Sequence, residues 1–292
     1  MSYHTLQRLV VRMLFDDQFV SQVYANPDQA LANLELTPIE QQQLIQVDQR
    51  AWGYDPLRRK RTLRTLVEEF KASTTLALAE TRSLALLDQF FSSSFFHTSV
   101  QNRGSMGLAF SQFLSDLTKQ GTLTSPQLPD VLKLETLMAG CRRELDAAGG
   151  PVQNALSGSI DEHQEVRLSP GVAVGRFQGN TIETIQKIEQ YLFEVNLMPA
   201  MVLCDDAPRL PALPRVDEKK KLYLQCVPSA SGVSLVNISR DEFLVLSEAK
   251  RPTSIQRLIA RASGSAIPKS KALEIIVEAL EQQHLTLWSA AA

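Results

Sequence analysis

The chain has little with which to do redox, metal or disulfide chemistry by itself. Its 292 residues include three cysteines, Cys141, Cys204 and Cys226, odd in number and widely spaced. Such a set gives neither a disulfide framework nor a metal-ligand pattern. The four histidines, His4, His97, His163 and His284, stand apart, with no HxH or HExxH spacing. His163 sits in Asp161-Glu162-His163-Gln164-Glu165, which predicts a solvated segment, because a loop without a packed outer shell holds ligands poorly. Gly171 and Gly175 lack the lysine and flanking pattern of a phosphate loop, and no Gly-x-Ser-x-Gly is present. The expectation is no metal or cofactor in this chain and no catalytic residue.

Other shortages narrow the class further. No apolar run approaches the ~20 residues that cross a bilayer. The leading MSYHTLQRLVVRMLFDDQFV carries acids and has no small-residue cleavage site, so it predicts no signal peptide. A cytoplasmic protein that does not engage a membrane is the expectation. A net charge of −2 gives no electrostatic footprint for nucleic acid. The length suffices for two domains, each burying its own core.

Strand patterns are missing from the first half, which reads as helices. Leu6, Leu9, Val10, Met13, Leu14, Val20 and Val23 make the stripe of an amphipathic helix. Asn26-Pro27 and Thr37-Pro38 each put a capping side chain before a proline, which starts a short helix. Asp55-Pro56 repeats that signal ahead of a long helix carrying Leu63, Leu66, Val67, Phe70 and Leu78. Further helices are predicted over 84–96, 107–120 and 129–148. Gly149-Gly150-Pro151 and the polar residues to 165 predict a linker.

After the linker the periodicity changes. Val166-Arg167-Leu168 and Val172-Ala173-Val174 predict extended segments around a Ser-Pro-Gly turn. A helix is expected over 181–195, and the three prolines of 207–214 predict an extended loop. Leu222–Val227 and Val233–Ile238 flank Pro-Ser-Ala-Ser-Gly and predict a hairpin. Helices are expected from about Arg240, near 252–262 and over 268–283, with a short strand at 285–288. The fold expected is α+β: a helical domain over 1–150, a linker over 151–165 and a small winged-helix-like domain over 166–292.

Two features suggest recognition rather than catalysis. The hairpin would leave backbone groups free at a sheet edge, where an extended peptide can dock. Tyr223, Gln225, Val233 and Leu235 are the candidate peptide-binding residues, on either face of that edge. Arg58, Arg59, Arg61 and Arg64, with Lys60, form the sharpest charge cluster. They lie near a helix start, where the dipole disfavours cations. They are candidates for docking an acidic peptide or a partner protein, with a solvated face as the plainer reading.

The order of several segments resembles a known family. SMGLAFSQFLSD (105–116) followed by LPDVLKLETLMAGCRREL (128–145) resembles the helical domain of accessory proteins that act beside multinuclear non-haem iron oxidases in ribosomal peptide natural-product pathways, among them the methanobactin and thiaglutamate pathways. VRLSPGVAVGRFQGNTIETIQKI (166–188) and LYLQCVPSASGVSLVNISRDEFLVLSEAKRPTSIQRLI (222–259) resemble its second domain in the same order. The resemblance implies a non-catalytic subunit that binds a precursor peptide and an oxidase, with iron held by that partner. It further implies a hetero-oligomer that presents a cysteine of the peptide for modification. Two other readings stand beside it, a winged-helix transcription regulator and a free-standing enzyme. Against the first, the candidate recognition helix carries Lys269 and Lys271 but also Glu274, Glu278 and Glu281, which a phosphate backbone would repel.

Overall fold

The computed structural model describes residues 3–53, 57–150, 161–230 and 232–288. The Asp55-Pro56 helix start and residues 151–160 of the expected linker lie outside them. The described residues form an α+β structure of two compact units. One takes Met1–Leu132 and Lys187–Pro211; the other takes Lys133–Gln186 and Ala212–Ala292. The division expected near residue 150 falls instead inside a helix. Leu134, Leu137 and Met138 of that helix pack with Phe177, Leu222 and Leu224 of the second unit. An unbroken helical period hides such a change of packing partner.

The first unit is helical. Its elements are α1 (Tyr3–Phe15), α2 (Asp17–Ala25), α3 (Pro27–Leu31), α4 (Pro38–Gln46), α5 (Gln49–Trp52), α6 (Leu57–Glu69), α7 (Lys71–Thr81), α8 (Ala85–Asp88), α9 (Ser94–Gln101) and α10 (Met106–Lys119). The start of α11 (Leu128–Ala147) and the end of α12 (Thr181–Glu194) complete it. The stripe from Leu6 to Val23 is two helices rather than one, broken at Asp16. Its carboxylate accepts the Phe19 amide at 3.0 Å and caps α2, the local bond that makes aspartate unfavourable inside a helix. Asn26 and Thr37 cap α3 and α4 as their prolines predict, and Thr37 forms a full capping box with Glu40. The long helix expected through Phe70 and Leu78 breaks at Phe70, which is fully buried between α6 and α7. Phe70, Phe90, Phe91, Phe96 and Phe110 form an aromatic core in which several rings meet edge to face, for example Phe90 and Phe110 at 5.2 Å.

The second unit holds two antiparallel sheets. β1 (Glu165–Leu168) lies between β5 (Thr253–Ser254) and β6 (Leu285–Trp288). β3 (Lys221–Ser229) lies between β2 (Ala173–Gln178) and β4 (Gly232–Asn237). The two extended segments around Ser-Pro-Gly are therefore not a hairpin: β1 and β2 belong to different sheets. Helices α13 (Arg240–Glu248), α14 (Ile255–Gly264) and α15 (Lys269–Glu281) pack a core of Leu246, Ile255, Leu258, Ile276 and Leu280 against Val166, Val174 and Leu285. Each such buried aliphatic side chain contributes about 2 kcal/mol of transfer free energy. Ser239 and Glu242 close a capping box that starts α13 directly after β4. Gly175 is required by close approach, since a Cβ there would come within 2.6 Å of the Phe177 ring.

Candidate functional site

The hairpin expected from the sequence is present, but β3 is longer than its apolar run. It continues through Pro228 and Ser229, which pair with Val233 and Gly232. A proline survives in this central strand for a geometric reason. The Ile238 amide donates to the Tyr223 carbonyl at 3.1 Å, which makes 223/238 a hydrogen-bonded pair. Antiparallel pairs alternate, so 225/236, 227/234 and 229/232 are bonded to β4 and 228/233 is not. Pro228 thus sits where no amide is needed toward β4, and its opposite side lies beyond the last β2 pair, Ala173 with Cys226.

The same parity defines the two open edges of this sheet. On β4 the backbone groups of Val233, Leu235 and Asn237 point away from β3, and none is paired with another strand among the described residues. On β2 the outward positions are Val174, Arg176 and Gln178. That edge is guarded, because Lys133 of α11 donates its ammonium to the Arg176 carbonyl at 2.7 Å. A lysine against an edge strand is a common block to strand addition. β4 has no such guard among the described residues, and Val236 is 43% exposed beside its outward positions.

The four candidate peptide-binding residues do not share a surface. Residues alternate between the two faces of a strand. Leu235 faces α11 with Leu222 and Leu224, and Val233 lies on that same face. Tyr223 and Gln225 take the opposite face. Tyr223 packs its ring on Phe243 of α13 at 5.0 Å, and Gln225 is 2% exposed with its Nε2 unpartnered. Both also lie on the interior strand rather than the edge. Gln225 is therefore out of reach of a ligand, and the edge residues are Val233 and Leu235, joined by Asn237, which was not anticipated. Pro228 was the sequence signal for them. Once it is placed inside a central strand, it fixes which β4 positions face outward.

The arginine cluster divides in the same way. Arg59 is held by Asp17 and Asp88 and lies 5.4 Å from the Phe91 ring centre. Arg58 lies 6.0 Å from the Phe15 ring centre and reaches the Leu14 carbonyl at 3.5 Å. These two fasten α6 to its neighbours. Arg61 and Arg64 are exposed, and Arg64 also pairs with Glu68 one turn on at 2.8 Å.

Other titratable groups are structural in placement. Asp16 is 2% exposed. Burial opposes its ionisation, but contacts from His97, the Phe19 amide, Ser92 and Arg12 outweigh that and hold the carboxyl down at about 2. The Cys141 thiol of α11 meets Cys226 of β3, and this hydrogen bond together with burial pushes it up. A thiol so protonated is a poor nucleophile and a poor metal ligand. His163 lies exposed in a turn whose Glu162 and Gln164 carbonyls accept the Gln256 and Ile255 amides. Among the described residues no three His, Cys, Asp or Glu side chains group as a metal site, and no helix is long and apolar enough to cross a membrane. Comparison with known proteins assigns no relative: no protein-family model matches the chain, and no curated protein sequence matches it.

Proposed function

We propose that the protein is a non-catalytic recognition subunit. It holds the leader of a ribosomally made precursor peptide and presents the peptide's cysteine to an iron- and dioxygen-dependent oxidase, in a cytoplasmic hetero-oligomer. The observation that carries this reading is the contrast between the two edges of the β2–β3–β4 sheet. On β2 Lys133 occupies the Arg176 carbonyl, whereas Val233, Leu235 and Asn237 on β4 present a row of backbone donors and acceptors with no such guard among the described residues. A leader adding there as a fourth strand would satisfy those groups, and the alternating side chains would select its sequence. Holding a flexible peptide also raises the effective concentration of its reactive end at the partner's metal.

The arrangement of the second unit supports the winged-helix-like reading. Three helices, α13 to α15, follow a hairpin and stack on a small sheet in which β1 lies between β5 and β6. It lends no support to a DNA-binding regulator. Lys269 and Lys271 of α15 are paired with Glu162 and Asp241, while Glu274, Glu278 and Glu281 are exposed on the same helix. Arg61 and Arg64 on the first unit are the proposed docking residues for the oxidase. Hydrogen exchange with and without a candidate precursor peptide tests the reading. Protection of 232–238 supports it; protection confined to the helices of the first unit overturns it.

A further inference from the structure

We infer that the first unit carries a separate site for an acidic peptide segment, in the cleft between α1 and the end of α9. The cleft measures about 700 Å³, the size of a small-ligand or short-peptide site. His4, Gln7 and Arg8 line it from α1; Gln101, Asn102 and Arg103 line it from the end of α9. No carboxylate is among the described residues that line it. This local excess of cationic groups stands out in a chain whose net charge is −2.

The two guanidiniums are uncommitted. Among the described residues neither Arg8 nor Arg103 has an ion pair or a side-chain hydrogen bond, unlike Arg12 one turn on, which is spent on Asp16 and the Phe19 ring. A free guanidinium fork matches a carboxylate in both geometry and charge. Gln7, Gln101 and Asn102 supply both donors and acceptors, which suit the peptide groups on either side of an acidic side chain. A bare inorganic anion would use the arginines and leave these amides, and most of the volume, unused.

The backbone at Arg103 adds a second observation. It has φ of +51° where the chain leaves α9, and the Gly104 amide closes the turn onto the Ser99 carbonyl at 2.7 Å. Glycine or asparagine ordinarily takes this left-handed place at a helix end. Arg82, Ala266 and Gln283 take the same conformation at other helix ends, so at Arg103 it sets how the side chain leaves α9 beside the cleft. The site lies in the first unit and does not depend on the β4 edge of the second.

The test uses the full chain and two synthetic probes, an (Asp-Ala)₄ peptide and its neutral (Asn-Ala)₄ counterpart, titrated by calorimetry. The acidic probe is expected to bind at least about tenfold more tightly than the neutral one. The double variant R8Q/R103G is expected to lose that difference. Arg103→Gly alone removes the left-handed strain, so its thermal midpoint should equal or exceed that of the parent chain while its affinity falls. Equal binding of the two probes, no binding of the acidic probe at about 1 mM, or undiminished binding by the double variant overturns the site. Competition by inorganic phosphate as effective as that by the acidic peptide overturns the peptide as its ligand.

Discussion

Arg59 Nη2 lies 2.6 Å from Asp88 Oδ2, and the same guanidinium reaches Asp17 at 2.8 Å. A residue that looks in the sequence like the centre of a basic docking patch thus ties α6 to α2 and to the segment at Asp88. Its side chain is only 19% exposed. Charge reversal at Arg59 would put three acids together beside the Phe91 ring.

The arginines should therefore separate by experiment. Arg59→Glu is expected to lower unfolding free energy by about 1–2 kcal/mol, read from the urea midpoint. Reversal of Arg61 and Arg64 together should change stability by no more than about 0.5 kcal/mol. If those two dock the oxidase, their reversal slows association, and added salt slows the parent chain in the same way. An association rate unchanged at low salt would mark them as a solvated face.

Asp16 gives a pH dependence of definite sign. Its folded value of about 2 lies below the ordinary 3.8, so the native state favours the ionised form. That stability is present above about pH 4 and is lost as pH falls from there through 2. The gap of nearly two units corresponds to about 2 kcal/mol for this buried group. Urea unfolding at pH 5 and pH 2.5 should show the decline in the parent chain and a shallower one in Asp16→Asn. Equal slopes in the two proteins would show that Asp16 is not the group responsible.

Much of the fold was legible in the residues, and its failures share a cause. Proline caps, the Ser239–Glu242 box and the three-to-four-residue stripes are local chemistry, and they placed α3, α4 and α13 correctly. Asp16 and Phe70 broke predicted helices because their side chains are committed elsewhere, Asp16 to a cap and Phe70 to the core. β1 and β2 were legible as extended segments, but not their pairing, because the partners of β1 lie more than 80 residues away in β5 and β6. The same blindness affected the candidate site. Alternation in β3 and β4 was visible, but not which strand was interior, and Lys133, which closes the β2 edge, is remote in sequence from Arg176.

Gln225 is the least satisfied of the buried polar groups near the sheet's core. Its Nε2 has no partner although the side chain is nearly inaccessible. An amide donor left unpaired in the interior costs about 1–3 kcal/mol. Gln225→Met keeps a similar volume and removes the donor, so the urea midpoint should rise, by about 1 kcal/mol in free energy. Leader affinity should not change, since the residue is out of a ligand's reach. A fall in stability would show that the amide is satisfied in solution, for example by a bound water.

The parity of β4 allows its edge to be closed without disturbing the hairpin. Val233 faces outward opposite Pro228, so Val233→Pro removes a donor that β3 does not use. Its cost in stability should stay within about 1 kcal/mol, because proline at an edge position sacrifices no ladder bond. Ser234→Pro is the matched control. Its amide points toward Val227, and removing it breaks the ladder, at about 3 kcal/mol. If the leader adds to β4, Val233→Pro should bind it at least about tenfold more weakly while remaining folded, since one strand-to-strand bond is lost and the ring obstructs the approach. Unchanged leader affinity in a folded Val233→Pro protein would remove β4 from the recognition surface.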